Sequence, residues 1–168
     1  KPINIKTSVF NDIINKTIFA VSKDELKPAL SGVLFQIKNN SILSVSTDGH
    51  RLVKYIRRGL NINIDRDVII PKKFLSLISS NISQAENINL YINENQVIVE
   101  VGNDVFYSRV IDERFPDFES VIPKDNNKEL IVNRLDLLST VKRVSVLSNK
   151  TTRQIAINLT KDNIKITT

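Results

Sequence analysis

The chain has 168 residues, enough for one domain of ordinary size, or one domain and a piece of another. With no cysteine and one histidine it has no disulfide framework, no thiol nucleophile and no His- or Cys-rich metal site. A net charge of +6 permits contact with phosphate backbones, but no dense Lys/Arg run concentrates it, the largest clusters being Lys54/Arg57/Arg58 and Lys72/Lys73.

Residues 3–6 read as a short strand. Val9, Phe10, Ile13, Ile14, Thr17, Ile18 and Val21 then recur at three- and four-residue spacing. This predicts a helix capped by Thr7 or Ser8 and fading near Ser22. A polar loop, 23–28, closes on Pro28. The apolar run 33–37, turn residues 38–41 and a second run, 42–45, read as a hairpin. Asp48-Gly49 marks another tight turn, before a strand over 51–56. After a loop near 61–67 the order starts again. Residues 68–70 form a strand, Pro71 opens a helix over 72–80, and strands follow at 88–92, 96–101 and 105–111, separated by turn residues.

Each half thus reads strand, helix, strand, strand, strand, an internal duplication of about 60 residues. A second repeat lies about 125 residues apart: a strand at 130–132, a helix face on Leu135, Leu138, Val141 and Val144, and strands at 155–159 and 164–166 around the turn Lys161-Asp162-Asn163. The fold class expected is α+β. The domains expected are a complete one over 1–125 and the beginning of another over 126–168, linked near 123–128. The second copy stops after two strands and the chain begins without Met, so the native chain is expected to extend beyond both ends.

No window approaches the roughly 18 consecutive apolar residues of a membrane span. The opening KPINIKTSVF lacks the apolar run of a signal peptide. The cytoplasm is the expected compartment, with no membrane partner.

The lone histidine lies in VSTDGHRLVKY, residues 45–55. Catalysis by His50 would need a nucleophile and an orienting acid within reach, and a metal would need more ligands than this segment holds. There is no Gly-x-Ser-x-Gly and no phosphate loop, so the chain is not expected to be an enzyme or to carry a cofactor. A turn with surface side chains is the plain alternative. Arg114 and Asp117 read as a charged pair bracing the turn at Phe115-Pro116, with Phe115 and Phe118 as packing residues.

Three segments carry a more specific resemblance. Thr47-Asp48-Gly49-His50-Arg51-Leu52 resembles the TDGHRL segment of the bacterial DNA polymerase III beta subunit family, the sliding clamps. Arg114-Phe115-Pro116-Asp117-Phe118, with Val121 and Pro123 after it, resembles that family's RFPDY…V-P segment. Leu147-Ser148-Asn149 resembles its LSN. All three fall in register with the repeats.

The resemblance implies the DNA-clamp fold, with sheets outside and helices on the DNA-facing side. Residues 1–125 would be the middle domain and 126–168 the start of the third. It implies a non-catalytic processivity factor, a head-to-tail homodimeric ring when full length, which encloses duplex DNA without sequence readout. The polymerase III catalytic subunit, the clamp loader and other proteins would dock on it by short linear motifs. Residue by residue, the resemblance places Leu30, Thr47, Gly49, His50, Arg51, Leu52, Pro116 and Val121 in a partner-peptide cleft. Ser120 stands where relatives often carry Arg, and Thr152 where they often carry an aromatic, so this cleft is expected to be less basic and less apolar. The DNA-facing candidates are Lys27, Lys72 and Lys73.

Two other readings compete: a stand-alone nucleic-acid-binding module, and a structural assembly module without a peptide cleft. The first calls for a basic face with interleaved aromatics. Aromatics are only 6% here, and Tyr55, Tyr91 and Tyr107 fall on different strands.

Overall fold

The structure, a computed structural model, describes residues 2–82, 85–160 and 163–168. It divides into two compact units, Lys1–Ile122 and Pro123–Thr168, at the N-terminal edge of the expected linker.

The first unit contains β1 (Ile3–Lys6), α1 (Thr7–Thr17), β2 (Gly32–Lys38), β3 (Ser41–Thr47) and β4 (Leu52–Arg58), then β5 (Arg66–Pro71), α2 (Lys72–Asn81), β6 (Asn87–Ile92), β7 (Gln96–Val101) and β8 (Asp104–Arg109). The duplication is real, and its halves are interlocked. The two sheets run β4-β3-β2-β5 and β1-β6-β7-β8. Each half therefore lends its first strand to the other half's sheet, and neither completes a sheet alone. Every pairing is antiparallel.

The helices bury Phe10, Ile13 and Ile14 of α1 and Phe74, Leu75 and Ile78 of α2 in a core shared with both sheets. Strand β2 is covered on both sides. Val33, Phe35 and Ile37 join the helices, while Leu34 joins a second, smaller cluster with Val45, Ile69 and Phe118. This is why Val33, Leu34 and Phe35 of β2 are apolar without a break, whereas Gln96–Val101, with one covered face, alternates. The β2–β3 hairpin closes through Asn39 and Asn40, both at positive φ (52° and 56°), as a two-residue turn of the primed type requires. Asn40 also anchors the next loop: its carbonyl accepts from Leu60 N at 2.9 Å and its side chain from Ile62 N at 3.1 Å.

Several boundaries differ from the sequence reading. Neither Thr7 nor Ser8 caps α1. Lys6 is the cap residue, without a side-chain bond, and the Thr7 N–H instead donates to Glu86 O at 2.9 Å. A neighbouring backbone does the work of a cap. Helix α1 also stops at Thr17 and tightens into a 3-10 turn, Ile18–Ala20. The Thr17 hydroxyl donates back to Ile13 O (2.7 Å) and Ile14 O (3.3 Å), a local bond that competes with helix continuation. A second 3-10 turn, Pro28–Leu30, closes the loop read as irregular. Helix α2 starts at Lys72 as expected, with Pro71, the last residue of β5, as its cap. Strand β8 ends at Arg109, and beyond it Ile111 makes a single bridge to Ile69, with Ile111 N donating to Ile69 O at 2.9 Å.

The second unit contains α3 (Arg134–Ser145), β9 (Ala156–Leu159) and β10 (Ile164–Thr167), the strands forming an antiparallel hairpin. Asn133 caps α3, its side chain accepting from Leu135 N (2.8 Å) and Asp136 N (3.3 Å). Residues 130–132 are exposed and form no strand, contrary to expectation. In the first unit each strand that precedes a helix pairs with the other half. Among the described residues 130–132 have no such partner, and an extended segment without a ladder is not a strand. Of the turn expected at 161–163, Lys161 and Asp162 lie outside the described residues.

Candidate functional site

The smaller cluster organises the candidate site. Buried Leu34, Val45, Ile69 and Phe118 are joined by partly buried Ala29, Leu43, Leu52, Ile111, Phe115 and Ile122. Three chain segments far apart in sequence therefore meet on the sheet face opposite the helices: the 28–30 turn, Leu52 at the start of β4, and the stretch 111–122, which lies across the sheet as a strap. Phe115 and Phe118 pack edge to face, with ring centroids 6.4 Å apart, as expected of packing residues. Lys54 of β4 clips the strap by an ion pair with Glu119, and its ammonium lies 5.7 Å from the Phe118 ring centroid.

The charged pair expected between Arg114 and Asp117 does not form. Asp117 instead accepts from Glu119 N (3.2 Å) and Ser120 N (3.4 Å), because a short acidic side chain satisfies its own turn before it reaches a neighbour. Ser120 returns its hydroxyl to Asp117 O at 2.8 Å. Its polar group is thus used within the turn. Pro116 and Val121 are exposed on the strap, Val121 at 66%.

The β3–β4 connection is a four-residue loop, Asp48 to Arg51, between paired Thr47 and Leu52. Gly49 takes φ +89°, a conformation that favours glycine. Asp48 Oδ1 accepts from His50 N (3.0 Å) and Arg51 N (3.1 Å), and Oδ2 accepts from Arg51 Nε (3.1 Å). Thr47 Oγ1 donates to Arg51 O (2.8 Å) and accepts from Gly49 N (3.1 Å). The other end of the guanidinium donates to Phe19 O at 2.9 Å and lies 5.6 Å from the Phe19 ring centroid. His50 is exposed beside this network and takes no side-chain part in it. Leu30 is half-buried, its carbonyl accepting from Ser22 N.

Burial opposes the charge on Asp48. The two backbone N–H bonds and the Arg51 guanidinium outweigh it and hold the carboxyl below its ordinary value of 3.8. A carboxyl depressed in the folded state contributes stability above that ordinary value and loses it as pH falls through the folded one. The stability difference between the parent and Asp48→Asn should therefore shrink as pH is lowered below 3.8, in urea unfolding at stepped pH. A constant difference would mean that the carboxylate charge contributes nothing.

The DNA-facing candidates group only in part. Lys72 and Lys73 open α2 and line a cleft of about 410 Å³ with Lys23, Asp24 and Glu25 of the loop after α1, so the site carries both signs. Lys27, on that loop, pairs with Asp24 at 3.6 Å. On α1, Asp12 takes Lys16 (3.2 Å) and the Tyr55 hydroxyl (3.2 Å), and the Lys16 ammonium holds the Asp12 carboxyl below its ordinary range. Thr152 is exposed in the second unit, its N–H donating to Asn149 Oδ1 at 3.1 Å.

A family model described as DNA polymerase III beta subunit, central domain, matches residues 4–117, more than half of the chain. The chain belongs to the DNA polymerase III beta subunit family.

A beta sliding clamp from Bacillus subtilis is 36% identical over 152 residues, covering 88% of this chain and 40% of that protein. The crystal structure of the B. subtilis DNA polymerase sliding clamp matches 99% of this chain and 45% of its own, with TM-score 0.92 and 31% identity. A Pseudomonas aeruginosa sliding clamp bound to griselimycin matches at TM-score 0.90 and 26% identity, over 99% of this chain and 46% of its own. The chain spans less than half the length of these relatives. The α+β clamp fold expected from the motifs is therefore the fold observed. Among the described residues, no helix is long and apolar enough to cross a membrane.

The sequence reading missed Phe19. It placed this residue inside a helix running to Val21, and nothing local announces that α1 stops at Thr17 and frees the Phe19 carbonyl.

Proposed function

We propose that this chain is the central part of a DNA sliding clamp, a non-catalytic processivity factor that encircles duplex DNA and tethers partner proteins by their short linear motifs. Residues 1–125 would form the middle clamp domain and 126–168 the start of the third. The full-length protein would work in the cytoplasm as a head-to-tail homodimer, with the polymerase III catalytic subunit and the clamp loader among its partners.

The observation that carries this reading is the meeting of the 28–30 turn, the 47–52 loop and the 115–122 strap on one apolar cluster in a chain of this family. A peptide cleft needs apolar walls with a few fixed polar groups. Leu30, Leu52, Pro116 and Val121 would supply the wall, and Thr47, Gly49, His50 and Arg51 its polar rim, with Ser120 making it less basic than in relatives. The test is a titration of a fluorescent Gln-Leu-x-Leu-Phe peptide against a full-length clamp carrying this segment, read by anisotropy at fixed salt. Leu52→Ala and Arg51→Ala should each weaken binding about tenfold, roughly 1.4 kcal/mol. Unchanged affinity in both variants refutes the cleft.

Lys72 and Lys73 would face DNA. Replacing both with alanine should flatten the dependence of DNA retention on salt by about one unit of log–log slope for each phosphate that is no longer neutralised. Lys27→Ala should do less, because Asp24 already shares its charge. Retention on circular plasmid across a salt series measures both, and an unchanged slope in the double variant would remove α2 from the DNA-facing surface.

A further inference from the structure

We propose that Asp48 and Phe19 are positioning residues of the partner-peptide wall: together they fix the Arg51 side chain before any partner arrives, and so present His50 and Leu52 in one geometry. The inference rests on the cleft reading above and assigns to it two residues outside the wall itself.

Three contacts on different groups carry it. Asp48 holds the loop backbone through His50 N and Arg51 N and holds the guanidinium through Nε. Phe19, 32 residues earlier, accepts from the far guanidinium nitrogen with its carbonyl. Its half-exposed ring lies under the same group. The Phe19 carbonyl is open to this because the helix has already ended. Val21 N turns back to Ile18 O, and Ser22 N goes to Leu30 O. The 3-10 turn after α1 is thereby tied to the β3–β4 loop through Arg51, and the chain just beyond it to the 28–30 turn through Ser22. Arginine is flexible when free, and a side chain ordered in advance does not have to be ordered on binding. The geometry therefore makes Arg51 first a strut and only second a contact. Its remaining donors and the flat outer face of its guanidinium are what a partner would meet.

The test uses the same peptide titration on the full-length clamp. Asp48→Asn keeps an oxygen for the two loop N–H groups and removes the carboxylate charge facing Nε. It should weaken peptide binding three- to tenfold, and Phe19→Ala should fall in the same range. Because Asp48 acts through Arg51, Asp48→Asn combined with Arg51→Ala should bind no more weakly than Arg51→Ala alone. Without peptide, exchange of the Arg51 Nε proton, followed by NMR, should be faster in Asp48→Asn, a readout that mere loosening of the fold elsewhere would not single out. If Asp48→Asn leaves affinity and exchange unchanged while Leu52→Ala weakens binding, the positioning role is wrong and the cleft stands. Additive losses in the double variant overturn it too. If neither Leu52→Ala nor Arg51→Ala weakens binding, the cleft reading fails and takes this inference with it.

Discussion

Gly32→Ala should destabilise the protein by about 3 kcal/mol, the upper end of what overpacking ordinarily costs. A Cβ at Gly32 would sit 2.6 Å from Ile70 O, 2.8 Å from Ile69 Cγ2 and 2.9 Å from Ile111 Cδ1. The first of these is a backbone carbonyl in β5, which pairs with β2 in register and has no room to retreat. The damage reaches the candidate site, because Ile111 begins the strap that carries Pro116 and Val121. Urea unfolding of the parent and the variant, followed by far-UV circular dichroism, measures the effect. A loss below about 1 kcal/mol would mean that β5 yields easily, and that the β2–β5 seam is softer than its close approach implies.

Phe35→Ala should cost about 3–5 kcal/mol. Phe35 is fully buried at the middle of β2, where it packs on Phe10 of α1 with ring centroids 6.3 Å apart. Removing it opens a cavity between a helix and a strand that belongs to both clusters, where neither neighbour can collapse without disturbing its packing elsewhere. For a chain of this size the unfolding midpoint should fall by roughly 10 °C. Leu77→Ala, on the half-exposed face of α2, is the control and should stay within about 0.5 kcal/mol. Similar losses in the two variants, in the same thermal melt, would contradict the placement of the core.

The effects differ in reach. Gly32 and Phe35 act on the frame. Leu52 and Arg51 act on what the frame presents. Asp48→Asn and Phe19→Ala act on the hold over the Arg51 guanidinium, which is why a double variant, rather than a larger single loss, is the informative comparison there.

Much of the architecture is legible in the residues. The doubled order of strand, helix and three strands follows from local periodicity. A strand covered on one face alternates, as Gln96–Val101 does, and a two-face strand runs apolar, as β2 does over 33–35. The turns at 39–40 and 102–103 announce themselves by residues that tolerate positive φ. The TDGHRL and RFPDF segments point to the family.

What only the tertiary structure decided is the set of contacts between distant segments. The exchange of β1 and β5 between the two sheets leaves no local mark, because a strand's period does not say which neighbour it will find. The cap of α1 escapes local reading for the same reason: Glu86, just before β6 in the other half, satisfies the Thr7 N–H. Residues 130–132 have the composition of a strand and, among the described residues, lack the neighbour that would make them one. Arg51 is the clearest case. Its sequence neighbours suggest a free side chain ready to meet a partner, whereas the fold brings it the carbonyl of Phe19, set free by a helix that ends early. Periodicity encodes which face of an element is buried, and the sequence carries that on its own. Which acceptor a long polar side chain reaches depends on where another element stops, and that is settled only when the elements pack.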